Sequence, residues 1–168
     1  MQTALFVGRF QPLHKGHLWV IKKILEENEK IIIVIGSSEE KFSERNPLTT
    51  EQRQILIEKA LEESGIDKKN YLIIPVHDIN NIELWVEHLN KHVPKYDKIY
   101  TGSDLVKKCY QKNPTAKVID LNRDFFPISA TEIREKIIKK EDWEEMVPPS
   151  TAKLLKKWQI PKKLKHAN

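Results

Sequence analysis

Five short apolar runs rich in isoleucine and valine recur along the chain, and longer amphipathic segments separate them. The runs cover 3–7, 30–35, 71–76, 97–101 and 116–120. Short β-branched runs that alternate with helical patterns predict βαβ units and a parallel sheet. The central runs are apolar without alternation, which is typical of strands covered by helices on both faces. We therefore predict an α/β fold with a doubly wound, five-stranded parallel sheet.

Helical periodicity fills the segments between these runs. Apolar residues recur at helical spacing in 18–25 and in 56–61. Thr49 and Gln52 form a capping box that starts the second of these helices, and Gly65 ends it. Further helices are predicted over 82–92, about 104–112, 130–140 and about 150–158. Neither an internal repeat nor a low-complexity linker divides the 168 residues, so we expect one domain.

The net charge of +5 comes from the end of the chain. Residues 148–168 contain six lysines and no acid, and the other 23 basic and 24 acidic residues nearly balance. A nucleic-acid binder normally carries its positive charge on a face of the folded domain. We therefore expect no nucleic-acid partner, and we predict that the basic segment is a solvated helix and tail.

The cysteine content and the apolar runs restrict the cellular compartment. Cys109 is the only cysteine, so no disulfide forms within one chain, and we expect an inert, partly buried thiol. The apolar runs are far shorter than the ~20 residues of a membrane span, and no signal-peptide pattern is visible. The sequence predicts a cytoplasmic protein without a membrane partner.

The segment that follows the first run carries the chemistry. Residues 8–17 read Gly-Arg-Phe-Gln-Pro-Leu-His-Lys-Gly-His. Arg9, His14 and His17 therefore lie where a helix begins, and the free backbone N–H groups of a helix start favour anions. Gly16 lets a ligand approach the backbone closely. The pattern indicates a site for a polyanion such as a nucleoside triphosphate; a histidine helix cap, or a zinc pair lacking a third ligand, is the alternative.

Other nucleotide motifs are missing from the sequence. Its five glycines form neither GxGxxG nor a P-loop, which argues against a dehydrogenase-type site and a P-loop site. Ligands of doubly wound sheets bind beyond the carboxyl ends of the strands, at the switch point of strand order. We therefore expect the site to be formed by residues 8–17, 77–79 and 101–104.

HxGH after a first strand resembles the signature of the nucleotidyltransferase superfamily, which is related to class I aminoacyl-tRNA synthetases. The second signature of that superfamily, ISxTxIR, matches Ile-Ser-Ala-Thr-Glu-Ile-Arg at 128–134. The fuller string at 8–17 is similar to the archaeal type of nicotinamide mononucleotide (NMN) adenylyltransferases. Similarity continues through 46–53, 76–79, 84–86 and 100–102. The resemblance implies a Rossmann-like nucleotidyltransferase domain over 1–168, with C-terminal helices.

The resemblance also implies a reaction. In this family the 5′-phosphate of NMN attacks the α-phosphorus of ATP and yields NAD and pyrophosphate. The nucleophile is already an anion, so positioning and electrostatic stabilisation supply most of the rate rather than a general base. Mg²⁺ is expected to be held mainly by the substrate phosphates and water, with no protein metal site. Relatives form hexamers, which implies a homo-oligomer, with a hexamer as the candidate size.

Residue roles follow from matching the two signatures. The resemblance implies that His14, His17, Arg9 and Arg134 are catalytic, with His17 nearest the α-phosphate. The implied ATP site comprises Phe6, Val7, Gly8, Arg9, His14, His17, Gly102, Asp104, Arg123, Ser129, Thr131 and Arg134. Ser129 and Glu132 also form a capping box, and capping and phosphate binding are compatible.

A second group of residues is implied for NMN. Its members are Arg45, Asp78, Ile79 and Trp85. The indole of Trp85 suits the cationic nicotinamide ring by stacking and cation–π attraction. The alternatives are a core tryptophan, a helix N-cap at Asp78 and an ordinary surface arginine at Arg45.

Three departures from the family pattern leave selectivity open. Leu48 stands where the family has Phe, residues 101–103 read Thr-Gly-Ser instead of Ser-Gly-Asn, and Ile82 replaces a polar residue. The choice between nicotinamide and nicotinic acid mononucleotide is therefore open. The alternative functions are another small nucleotidyltransferase, acting on phosphopantetheine or a phospho-alcohol, and a non-catalytic nucleotide-binding module.

Overall fold

A parallel five-stranded sheet forms the centre of the computed structural model, which describes residues 1–39, 42–121 and 127–167. The strands are β1 (Thr3–Gly8), β2 (Lys30–Ile35), β3 (Tyr71–Pro75), β4 (Lys98–Thr101) and β5 (Lys117–Asp120). Their order is β3-β2-β1-β4-β5, and every pairing is parallel. The predicted doubly wound sheet is confirmed, and each predicted strand is matched to within one residue at either end.

Helices join the strands and continue beyond the last one. They are α1 (Lys15–Glu27), α2 (Thr50–Glu63), α3 (Trp85–His92), α4 (Asp104–Lys112), α5 (Ala130–Lys139), α6 (Pro149–Lys157) and α7 (Ile160–Lys165). The predicted capping box is present, because Thr49 and Gln52 each accept the other's backbone N–H, at 3.1 and 3.0 Å. Gly65 follows α2 with a φ of 72°, which the absence of a side chain permits.

The structure differs from the predicted helices at two places. The helix predicted over 82–92 begins as a 3-10 turn at Ile82–Leu84, because the Asn81 side chain caps the N–H groups of Glu83 and Leu84. Helix α7 was not predicted, since six residues are too few to display a periodic apolar stripe.

Strand β2 shows why both faces of the sheet are covered. Successive side chains of a strand point to opposite faces. Ile31, Ile33 and Ile35 belong to the core beneath α1, α2 and the C-terminal helices, whereas Ile32 and Val34 belong to the core beneath α3 and α4. This alternation makes a continuous apolar run necessary.

The basic C-terminal segment is packed against the domain, which corrects the prediction of a solvated tail. Helix α6 contacts α2, and α7 contacts α5. Leu155, Ile160 and Leu164 are buried in the core, and the six lysines of this segment are exposed. The lysines form only the outer face of two amphipathic helices. No described helix has both the length and the apolar character needed to cross a membrane.

The topology fixes where a ligand can enter. The chain builds the sheet outward from β1 to β3 and then crosses to β4, so the order reverses between β1 and β4. These strands end at Gly8 and Thr101, on the same edge of the sheet. Parallel α/β sheets bind ligands at this switch point.

Candidate active site

The two histidines of the first signature cap helix α1 reciprocally. The backbone N–H of His17 donates to Nδ1 of His14, and the backbone N–H of His14 donates to Nδ1 of His17, both at 3.2 Å. Their rings stack, with centroids 3.7 Å apart. The arrangement is a capping box in which imidazoles replace the usual hydroxyl and carboxamide groups. The helix-cap alternative is therefore correct as a statement about structure.

This cap also fixes the tautomer of both rings. A nitrogen that accepts a backbone N–H cannot carry a proton, so the proton of each neutral imidazole lies on Nε2. Burial lowers the pKa of His14 to about 4. Burial, and then the neighbouring His14, hold the pKa of His17 well below its ordinary value. At neutral pH the pair therefore presents N–H dipoles rather than the positive charges of two imidazolium groups.

The low pKa of His14 makes stability depend on pH. An ordinary histidine pKa is 6.5, and burial lowers the folded value to about 4. Between those values the unfolded state binds more protons, so the free energy of unfolding falls as the pH falls. From His14 alone we expect a loss of about 2 kcal/mol between pH 7 and pH 5, at ~1.4 kcal/mol per pKa unit.

Urea denaturation at pH 7 and pH 5 measures this loss. The variant His14→Asn keeps a side-chain acceptor at the helix start and removes the titrating ring, so its pH dependence should be flatter. An equal loss of stability in the variant would contradict the assignment to His14.

Packing around the histidines keeps the loop after β1 in one conformation. A Cβ on Gly16 would lie 2.9 Å from two atoms of the His14 ring, so a larger residue would displace that ring. Phe10 has a φ of 52°, an unfavourable value for a residue with a side chain. Its buried ring lies 4.7 Å from the His17 ring and 6.0 Å from the Phe6 ring. These contacts hold the backbone in its strained conformation.

The second signature begins helix α5. The Ser129 hydroxyl accepts the backbone N–H of Glu132 at 3.1 Å, which is the N-cap half of the predicted capping box. One guanidinium nitrogen of Arg134 donates to the Gln11 carbonyl at 2.8 Å, and the other donates to the Thr131 hydroxyl at 3.3 Å. Arg134 therefore connects the start of α5 to the loop after β1.

Both helix starts and this loop line one cavity of about 430 Å³. The lining residues are Arg9, Phe10, Gln11, His14, His17, Arg45, Ile128, Ser129, Ala130, Thr131 and Arg134. The two signatures, more than 100 residues apart in sequence, therefore meet in space. The four residues predicted to be catalytic lie together here, and so do Ser129 and Thr131.

Three arginines converge on this cavity. Burial, followed by the nearby charges of Arg9 and Arg45, lowers the pKa of Arg134, although Glu44 and Glu135 oppose the shift. Like charges held close together are unfavourable until an anion neutralises them. The cavity is thus electrostatically suited to a polyanion, with guanidinium groups that can bind phosphate in a bidentate manner.

A buried arginine that the sequence did not single out holds the loops behind this cavity. Arg53 of α2 is 1% exposed. Its guanidinium donates to the carbonyls of Arg9 (2.9 Å), Gly36 (2.7 Å) and Ser37 (3.1 Å), and to the Thr50 hydroxyl (3.2 Å). Arg53 therefore connects the loop after β1 to the loop after β2 through hydrogen bonds.

Two further polar residues connect the loop after β1 to residues 46–48. The buried Gln11 side chain donates to the Leu48 carbonyl at 3.0 Å and accepts the Leu48 N–H at 2.9 Å. The Arg9 guanidinium donates to the side-chain oxygen of Asn46. These contacts orient Arg9, which is one of the three cavity arginines.

The residues predicted for NMN lie partly outside this cavity. Asp78, three residues beyond the end of β3, accepts the Ser37 hydroxyl at 2.5 Å, and its backbone N–H donates to the Glu39 carboxylate. Trp85 begins α3, where its half-buried ring packs edge-on against Tyr110 at 6.4 Å. Ile79 is half-buried in the segment between them. Arg45 is the one member of this group that lines the cavity.

The residues predicted to surround adenosine lie at the carboxyl ends of β1 and β4, and the lining of the cavity contains none of them. Phe6, Val7 and Gly8 close β1, and Asp104 is the first residue of α4. The predicted ATP residue Arg123 lies outside the described residues. Cys109 is buried, as expected, and burial raises the pKa of its thiol.

Known proteins are similar in sequence to this chain over most of its length. The cytidylyltransferase-like family matches residues 5–136. The nicotinamide-nucleotide adenylyltransferase of Archaeoglobus fulgidus is 43% identical over 160 residues, which cover 91% of this chain and 90% of the relative. That of Picrophilus torridus is 41% identical over 154 residues, covering 90% and 89%.

A solved structure has the same fold. The bifunctional NMN adenylyltransferase/ADP-ribose pyrophosphatase of Francisella tularensis, crystallised with AMP and a manganese ion, superposes with a TM-score of 0.80 at 28% identity. The superposition covers 97% of this chain but 51% of the Francisella chain, so this chain corresponds to about half of that protein. The chain belongs to the cytidylyltransferase-like family and, within it, to the archaeal-type nicotinamide-nucleotide adenylyltransferases.

Proposed function

We propose that this protein transfers AMP from ATP to nicotinamide mononucleotide and forms NAD and pyrophosphate. The observation that carries the proposal is the single cavity in which three arginines, two neutral imidazole N–H donors and the start of α5 converge. Such a cavity suits a reaction between two polyanions, whose main obstacle is charge repulsion. The names of the archaeal relatives support the same reaction.

The reaction proceeds in line and without a covalent intermediate. An oxygen of the NMN phosphate forms a bond to the α-phosphorus of ATP, and the bond from that phosphorus to the β-bridging oxygen breaks. Pyrophosphate leaves with the bonding electrons. The nucleophile is anionic near neutral pH, so no proton has to be removed, and none of the described residues lining the cavity is a carboxylate that could remove one.

The roles of the cavity residues follow from their chemistry. His14 and His17 donate their Nε2–H groups to the ATP phosphates, with His17 nearest the α-phosphate. Arg9 bridges the triphosphate and the incoming NMN phosphate, and Arg45 approaches that same phosphate. Arg134, with the hydroxyls of Ser129 and Thr131 and the N–H groups at the start of α5, holds the β- and γ-phosphates.

Divalent metal enters this scheme as part of the nucleotide substrate. Mg²⁺ prefers carboxylate oxygens, phosphates and water. The described residues of the cavity lining supply hydroxyl and amide oxygens but no carboxylate. The Gln11 side-chain oxygen is already paired with the Leu48 N–H. These donors do not form a magnesium cage, so we propose that Mg²⁺ arrives bound to ATP.

The second substrate binds beside the cavity along the segment that joins β3 to α3. We propose that Trp85 stacks on the nicotinamide ring while Asp78 and Ile79 contact its carboxamide and ribose. Asp78 accepts a hydrogen bond from the Ser37 hydroxyl. Arg53 in turn donates to the backbone carbonyls of both Ser37 and Arg9. The two substrate regions therefore share a hydrogen-bonded connection.

A coupled assay for NAD tests the proposed function. The protein is incubated with ATP, Mg²⁺ and NMN, and NAD formation is followed with an alcohol dehydrogenase. Parallel reactions receive phosphopantetheine or a phospho-alcohol in place of NMN, with pyrophosphate release as the readout. We expect product with NMN. Product only in a parallel reaction, or nucleotide binding without turnover, would favour an alternative function.

The substitution Trp85→Ala should raise the KM for NMN by about tenfold, since stacking and cation–π attraction together are worth ~1–2 kcal/mol. The KM for ATP should stay close to its original value. Steady-state kinetics with each substrate varied in turn measures both constants. The matched variant Trp85→Phe keeps an aromatic face and should recover most of the loss. Equal increases in both KM values would remove Trp85 from the NMN site.

Three expectations from the sequence stay predictions: the single domain over 1–168, the homo-oligomer and the cytoplasmic location. Sedimentation of the purified protein is the direct measurement of the oligomeric state.

A further inference from the structure

Three histidines outside the proposed cavity form a cluster at the end of β3. His77 follows that strand, and His88 and His92 lie one turn apart on α3. Residues four apart lie on the same face of a helix. One ligand nitrogen from each of the three side chains lies within 4.8 Å of the others. The cluster holds half of the chain's six histidines.

Two backbone carbonyls set the tautomers of this cluster. Nε2 of His88 lies 2.9 Å from the His77 carbonyl, and Nδ1 of His92 lies 2.7 Å from the His88 carbonyl. A carbonyl only accepts, so each of these nitrogens carries the proton. The lone pairs then lie on Nδ1 of His88 and Nε2 of His92. Metal-binding histidines are typically oriented in this way, by a hydrogen bond from the second ring nitrogen to a carbonyl.

We propose that His77, His88 and His92 form a binding site for a late first-row divalent metal ion, with Zn²⁺ as the preferred occupant. Imidazole is a favoured ligand of these metals, and three histidines plus one water complete a tetrahedral zinc site. Zn–N distances of about 2.0–2.1 Å place neighbouring ligand atoms about 3.4 Å apart. The ligand atoms therefore need to approach one another by at most about 1.4 Å. Both His77 and His92 are exposed and have room to turn.

This metal is chemically distinct from the Mg²⁺ that accompanies ATP. Mg²⁺ selects oxygen ligands and octahedral geometry, so a cluster of three imidazoles discriminates against it. The ring centroids of the cluster lie 4.5 to 5.6 Å apart, two of the three pairs edge to face. That packing is the competing explanation, because histidines can cluster simply as aromatic rings. Metal titration separates the two.

A bound ion would join the end of β3 to α3. The segment enclosed between His77 and His88 contains Asp78, Ile79 and Trp85. The metal would therefore restrict the conformation of the segment on which NMN is proposed to bind. This consequence rests on the proposed function, whereas the metal site itself does not.

Zinc titration against a chromophoric chelator tests the site directly. We expect one Zn²⁺ per chain with a Kd in the micromolar range or below. His88→Ala and His92→Ala should each weaken binding at least tenfold, and the matched control His166→Ala should not. Co²⁺ should give the intense visible absorption of a tetrahedral complex with the unaltered protein and with His166→Ala, and not with His88→Ala or His92→Ala. Equal zinc affinity in His88→Ala would overturn the proposal, because the ion would then lie elsewhere, for example on the His14–His17 pair.

The unfolding temperature gives a second test, because zinc would not raise it if the three histidines were only packed together as rings. Zn²⁺ should raise the unfolding temperature of the unaltered protein and of His166→Ala, since a ligand that binds the folded state stabilises it. At the same zinc concentration, the rise in the unfolding temperature of His92→Ala should be much smaller. Unfolding without metal checks that the variants fold. If zinc binds as proposed but the protein forms no NAD, the metal site stands and the proposed function fails.

Discussion

The substitution His17→Ala is expected to lower kcat for NAD formation by about 10²–10³-fold, the usual effect of removing one preorganised donor from a transition-state oxyanion. The reciprocal cap fixes the proton of His17 on Nε2, and burial lowers its pKa, so the ring is a neutral donor at working pH. In the proposed mechanism that donor lies nearest the α-phosphate, where charge redistributes as pyrophosphate leaves. Steady-state kinetics with both substrates saturating measures the change.

Alanine at this position also removes a helix cap, so a second variant is needed. Asparagine places its side-chain oxygen near the position of Nδ1 and can still accept the His14 N–H, but it has no atom at the position of Nε2. His17→Asn should therefore be nearly as slow as His17→Ala while losing less stability. A variant of either type that turned over at the original rate would exclude His17 from catalysis.

The substitution Arg53→Ala is expected to lower the free energy of unfolding by about 3–5 kcal/mol, because it removes several hydrogen bonds of one buried charged group at once. The guanidinium is 1% exposed and donates to three carbonyls in the loops after β1 and β2. Alanine would leave those buried acceptors without these donors, and each such loss costs ~1–3 kcal/mol. Equilibrium urea denaturation measures the effect.

A lysine on the same helix is the matched control. Lys59 is exposed and its ion pair with Glu62 lies at the surface, so Lys59→Ala should change stability little. Arg53→Lys should remain well below the original stability, since one ammonium group cannot reach the acceptors that the planar guanidinium reaches. If Arg53→Ala were as stable as Lys59→Ala, the hydrogen bonds from Arg53 to the two loops would not be stabilising the fold as we infer.

Patterns of residue type were sufficient to predict the sheet and most helices. Unbroken apolar runs such as 31–35 are needed where both faces of a strand are covered, so they identified the strands. The Thr49–Gln52 capping box and Gly65 gave the limits of α2 because both signals are local. Helix α7 is short and begins after Gln159, a residue in left-handed conformation, so its formation depends on burial of Ile160 and Leu164. Such tertiary packing leaves little local signal.

The site could be predicted in part. The two signature segments named six site residues that line one cavity, because each signature also caps a helix and caps are local. Arg53 was overlooked, although its spacing to Ile57, Ala60 and Leu61 places it on the buried stripe of α2, where a charged residue is unusual. The neutral state of His14 and His17 could not be predicted, since burial and the direction of their hydrogen bonds appear only in three dimensions.

The contact between α7 and α5 connects the C-terminal helix to the proposed phosphate site. Helix α5 presents Ser129, Thr131 and Arg134 at one end, and α7 packs along its apolar side. In the proposed mechanism, cleavage of the chain before Ile160 would remove that packing and weaken the binding of the β- and γ-phosphates. In the proposed mechanism, the affinity for ATP therefore depends on a helix that contributes no residue to the cavity lining.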